Sequence, residues 1–189
     1  ALDIIGIAGP VIRQVTPGPF TTQTDVTTGQ VGGLFLANTF TIVAFQMLVA
    51  SWLRGRRRMP AYAFLGLLFA AGFVLLLVAG AWRGGAVVTL TLLVVAVVLF
   101  GLGECVMGAV RGALTAELAP ENLIGRYSAL SAGAFQVGIA GARMAGGAVL
   151  DRSDTALWWI AVGVGLSACA YALGIERSMP SAARRNPGP

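Results

Sequence analysis

Lysine and histidine are both missing from this chain, so every one of its 13 basic residues is an arginine. Without histidine the side chain most often used as a general base is gone, along with the commonest metal ligand. Cysteine is nearly absent too: Cys105 and Cys169 have no CxxC or Cys/His spacing, which argues against a zinc site or a disulfide framework. Charge of either sign is scarce, at 11% of residues, against about 25% in soluble domains. No strand–GxGxxG–helix unit and no GK[ST] loop is present, so the paired glycines do not indicate a nucleotide site. Serine/histidine, paired-aspartate and metal-ligand constellations are missing as well. These absences lead us to expect no enzyme, no metal and no cofactor.

What fills the chain is apolar. Hydrophobic residues make up 57% and the mean hydropathy is +0.80, and several uninterrupted runs reach the ~20 helical residues needed to cross a hydrocarbon core of ~30 Å. A β-barrel would show alternating segments of ~10 residues instead, and none is visible. The expected fold class is an all-α polytopic membrane helical bundle. Five spans are expected, at 31–53, 61–82, 86–112, 126–150 and 155–174, within a bundle covering 31–175. Ahead of it, residues 1–30 read as a short apolar segment and an outer loop. No basic region precedes an apolar core at Ala1, so no signal peptide is expected, and the missing initiator Met suggests a processed or truncated chain. After the bundle, residues 176–189 read as a flexible polar tail.

The net charge of +5 might suggest nucleic acid in a soluble protein. Here the arginines gather at the ends of apolar runs, where they act as topology signals. Alternate connections place Arg54, Arg56, Arg57, Arg58, Arg126, Arg177, Arg184 and Arg185 on one side, and Arg83 and Arg152 on the other. Positive-inside bias makes the first side, and the carboxy terminus, cytoplasmic in a cell (inner or plasma) membrane. The partners expected are the lipid bilayer and further helices, not nucleic acid. The tryptophans near span ends read as interfacial anchors.

The segments NTFTIVAFQMLVASWLRGRRRMPAY and GLGECVMGAVRGALTAELAPENLIGRYSAL together resemble the carboxy-terminal half of a major facilitator superfamily transporter. Leu118-Ala119-Pro120, then Gly125-Arg126-Tyr127, is similar to that family's loop between its tenth and eleventh helices. Gly55-Arg56-Arg57 is similar to the end of its basic motif between the eighth and ninth. The slots before this glycine, usually acidic and basic, hold Trp52 and Leu53. Gly103-Glu104 resembles a pair in the tenth helix of drug-efflux-like members, without the prolines that tend to follow. The resemblance covers about residues 30–178 and implies helices seven to twelve, with helix seven incomplete. It implies a small-molecule substrate, alternating access, proton-coupled efflux, and either a missing amino-terminal half or another copy of the chain to complete the path. The alternative is a non-transporting or truncated membrane interaction protein packing against partner helices.

Polar groups deep in a span are expensive and invite a functional hypothesis. At ~1.5 Å rise per residue, Glu104 lies roughly 20 Å from Glu117 and Gln136 roughly 16 Å from Gly125 on the next helix, so the two reach one depth. Glu104 is a proton carrier or a structural carboxyl bonded to a neighbouring helix. Arg143, at i+7 from Gln136, contacts an anionic group or snorkels outward. Arg111, beside Glu104, Gly108 and Gly112, snorkels toward the cytoplasm or joins the path. Asn38 and Gln46 line a cavity or bond between helices. Ala134, Gly138, Ala142 and Gly146 form a small-residue stripe of the kind that lets helices approach closely.

Overall fold

The computed structural model describes residues 28–82, 85–150, 152–153, 155–176 and 178. The expected amino-terminal segment, the outer turn at Arg83-Gly84 and the tail beyond 178 lie outside the described residues. Among the described residues every element is a helix: α1 (Thr28–Leu53), α2 (Arg58–Ala81), α3 (Ala86–Leu118), a 3-10 turn (Glu121–Leu123), α4 (Ile124–Leu150) and α5 (Ala156–Glu176). Four are long and apolar enough to cross a membrane: Gly32–Leu53, Arg58–Ala81, Ala86–Thr115 and Ala156–Glu176. The chain is thus an all-helical membrane bundle. By length α4 would span too, but glycine, serine, Gln136 and Arg143 dilute its apolar content.

Several boundaries differ from expectation. Residues 28–30, read as loop, already belong to α1. The third helix does not yield to a turn at Ala113; it continues to Leu118. Its 33 residues extend about 50 Å. Pro120 sets the end, because the residue before a proline is driven out of the helical region, and Ala119 sits at φ −84, ψ 134. Leu123 N–H then bonds the Pro120 carbonyl at 2.8 Å, starting the short turn that feeds α4. At the other connection, Gly55 adopts φ +68, a left-handed position that glycine takes without steric cost. Arg54 N–H bonds the Ser51 carbonyl and Arg56 N–H the Leu53 carbonyl, closing α1.

The helices pack as a row, α1 against α3, α3 against α2, and α2 against α5. One apolar cluster joins Leu34, Leu76, Leu93, Phe100 and Trp158; a second, toward the α1–α2 turn, joins Leu53, Ala61, Leu65, Val106 and Val110. Trp158 is therefore a core residue, stacked at 6.2 Å from Phe73 and only 6% exposed, and not the interfacial anchor expected of it. Trp52 and Trp159 do stand exposed. Arg58, counted among the loop cations, is the first residue of α2 and fully buried.

Glycines set the crossings. A Cβ on Gly66 would stand 2.6 Å from the Gly165 carbonyl oxygen, and one on Gly165 would stand 3.0 Å from the Gly66 oxygen. The α2 and α5 backbones therefore touch directly. Gly72 receives the ring of Phe100, which would lie 2.5 Å from an added Cβ. Gly101 receives Asn38 and Thr41 of α1, both 3.1 Å from its would-be Cβ. Replacing Gly165 by leucine should lower thermal stability in detergent, at an overpacking cost of about 1–3 kcal/mol. Gly163→Leu, on the same helix with nothing within 4 Å, should be near neutral. Equal transitions for the two variants would remove the crossing from this account.

Candidate functional site

Helix α3 carries Glu104, Gly108, Arg111 and Gly112 at i, i+4, i+7 and i+8, which places all four on one face. From α1, Gln46 reaches that face: its Nε2 lies 3.9 Å from where a Gly108 Cβ would stand. From α4, Ser131 and Phe135 meet it at Arg111. Glu104, half-buried, thus sits on a face bounded by α1 on one side and α4 on the other.

Asn38 and Gln46 have parted roles. Asn38 is 2% exposed and Thr41 4%, both pressed onto Gly101. The Thr41 hydroxyl donates to the Ala37 carbonyl at 2.8 Å, the usual way a hydroxyl is satisfied within its own helix. Asn38 Oδ1 has no hydrogen-bond partner among the described residues. It belongs to the α1–α3 seam, whereas Gln46 is exposed beside Gly108. Cys105 adds a long S–H contact of 3.8 Å to the Ile42 carbonyl across the same seam.

Arg111 does not run out toward the membrane surface. Its Nε donates to Ser131 Oγ at 3.1 Å and its Nη2 to the Ser131 carbonyl at 2.7 Å. The guanidinium also lies 4.6 Å from the Phe135 ring centroid. A charged donor to a carbonyl contributes about 1.5–3 kcal/mol, and a stacked cation about 0.5–2. Little else holds α4. From Ile124 to Val149 only Ser131, Ile139, Gly146 and Val149 escape full exposure. Gly146 touches Leu157 of α5, its would-be Cβ 3.5 Å from Leu157 Cδ1.

The remaining α4 candidates face outward. Gln136 and Arg143 are exposed and share a face through i+7 spacing; no hydrogen bond among the described residues joins Gln136 to Glu104. Ala134, Gly138 and Ala142 are also exposed, so of the small-residue stripe only Gly146 is used for packing within this chain. Leu130, Val137 and Met144, at 73%, 73% and 79% exposure, form a separate large apolar stripe.

Among the loop residues, Gly55 makes the turn, Arg56 stacks 4.1 Å over Trp52, and Arg57 Nε pairs with Glu176 Oε1 at 2.8 Å. That ion pair puts the α1–α2 turn and the end of α5 at the same end of the bundle, in line with the arginine grouping. Pro120 ends α3, while Gly125 and Arg126 are exposed in the first turn of α4. Sequence reasoning passed over Ser131, Glu176 and the Gly66–Gly165 crossing. Isolated glycines inside apolar runs were the available signal for the crossing.

The model of the Major Facilitator Superfamily matches residues 5–188, and this chain belongs to that superfamily. Movement of a small molecule across a membrane is accordingly its class of function. Neither a curated protein nor a solved structure matches the chain.

Arg111→Met should release α4. Hydrogen exchange across 124–140 will rise at least severalfold, while exchange in α2 and α5 stays unchanged. Unaltered exchange in α4 would deny Arg111 the tethering role.

Proposed function

We propose that this chain is the carboxy-terminal half of a proton-coupled small-molecule exporter, its five helices all crossing the membrane. The observation that carries the reading is the α3 face. Glu104, Gly108 and Gly112 lie between Gln46 of α1 and the Arg111–Ser131 link to α4, so a carboxyl and an amide border a strip without side-chain bulk. Transporters of this kind bind substrate near the membrane midplane between two repeats. Glu104 takes up a proton from one side and releases it to the other as the path alternates. Gln46 and Gln136 supply hydrogen bonds to the substrate, and Arg143 contacts an anionic group of the substrate or of the amino-terminal half.

The weak attachment of α4 supports the half-transporter reading. Ala134, Gly138, Ala142 and Gln136 are exposed, a surface that another set of helices would cover. An amino-terminal half, or a second copy, would close the path there, with the basic connection and the carboxy terminus on the cytoplasmic side of the cell membrane. The same exposed stripe also suits the competing reading, a membrane interaction protein without transport. The two differ in what the completed assembly does.

Reconstituted by itself, the chain should catalyse neither uptake nor efflux of a small-molecule panel in proteoliposomes. With the amino-terminal half supplied, transport should appear and depend on a pH gradient. Glu104→Gln should insert normally yet lose that pH dependence. Robust transport by the lone chain would sink the half-transporter reading; an unchanged pH profile in the variant would sink the proton role. No transport by the assembly would favour the interaction protein.

A further inference from the structure

The arginine run of the α1–α2 turn is not a uniform cloud of charge. Arg58 is fully buried at the start of α2. Arg57 is paired with Glu176, whose side chain is only 12% exposed. Two guanidinium groups therefore serve the protein itself, and the other two face outward. Arg54 is exposed, and Arg56 lies flat over the Trp52 ring. Neither has an acidic partner among the described residues.

We infer that Arg54 and Arg56, with Trp52, form a binding site for one acidic phospholipid, taken by the phosphate of its headgroup. Stacking on Trp52 restrains the Arg56 guanidinium in orientation and leaves its N–H edges available, so part of the ordering cost is met before the ligand arrives. The planar fork of an arginine matches a phosphate bidentately. Space is present at the tip of the turn: a Cβ on Gly55 would meet nothing within 4 Å.

The apolar part of a lipid has its place in continuation. Phe45, Leu48 and Trp52 follow one another at i, i+3 and i+7, exposed by 43%, 61% and 51%. They make one outward apolar strip that ends at the stacked arginine. An amphipathic ring at the headgroup level below a cationic pair, with an acyl-sized strip leading away from it, fits a whole lipid better than a free anion. Two guanidinium groups with no acidic partner of their own among the described residues favour a net-negative headgroup over a zwitterionic one, because the choline cation would be repelled.

The site is independent of transport and is tested by binding. Full-length protein in detergent micelles is titrated with phosphatidylglycerol carrying brominated acyl chains, then with the matching phosphatidylcholine, and tryptophan quenching is followed. Wild type should bind the acidic lipid several-fold more tightly. Arg54→Gln/Arg56→Gln should weaken that binding on the order of tenfold, as expected for two arginines at an acidic lipid surface, and should erase the preference. Arg54→Lys/Arg56→Lys keeps the charge but loses the bidentate fork and the stacked plane, so its binding should fall between wild type and the double glutamine variant; binding as tight as wild type would overturn the site. Arg152→Gln, an exposed arginine at the other end of the bundle, should change nothing. A preference that survives in the double glutamine variant, or falls equally in Arg152→Gln, overturns the site. Displacement of the lipid by inorganic phosphate at equal concentration overturns it as well, since the lipid chains would then add nothing.

Discussion

Helices in lipid gain little by hiding apolar side chains from an apolar solvent, so their cohesion depends on how closely two backbones can approach. The direct contact of Gly66 with Gly165 is where this constraint is met most fully, with each would-be Cβ blocked by the other's carbonyl. The remaining row is organised around it. With α5 fixed on one side of α2, the other side takes α3 through Phe100 seated at Gly72, and α3 in turn takes α1 at Gly101. Phe100 packs in tilted contact with Phe73 and Phe69, ring centroids 5.0 Å and 5.7 Å apart, filling the space that the glycine opens.

The fourth helix is joined by a different kind of force. No glycine of α4 before Gly146 has a neighbour within 4 Å, and among the described residues its link to α3 is Arg111, with two hydrogen bonds to Ser131 and a contact on the Phe135 ring. Such a link is strong in a poorly hydrated setting and directional, but it constrains one point and not a surface. A helix held at so few places, Arg111 toward one end and Gly146 against Leu157 toward the other, can change its inclination with little loss of packing. This freedom lies beside Glu104, a half-buried carboxyl of α3.

Charge is spent unevenly at the α1–α2 turn. Four arginines that look equivalent in a string divide into one buried, one paired, one stacked and one exposed. Burying a cation is costly unless it is compensated, so Arg58 and Arg57 act as fasteners of the turn to the bundle. The outward pair is then held at a set height relative to the lipid surface.

The class of the molecule was legible in the residues because hydropathy and length act locally: a run of some twenty apolar residues has few alternatives to a spanning helix. The same holds for the breaks at Gly55 and Pro120, whose backbone restrictions need no partner. The LAPENLIGRY turn and the basic motif led to the superfamily for a similar reason, being contiguous in the chain. What could not be read there were choices between neighbours. Nothing in the string distinguishes Arg58 from Arg57, Trp158 from Trp159, or Asn38 from Gln46, because burial depends on which helix lies opposite. The stripe at Ala134, Gly138, Ala142 and Gly146 had the right spacing for packing, yet the bundle used Gly66 and Gly165 instead. Spacing states which residues share a face; only the packed helices state what that face meets.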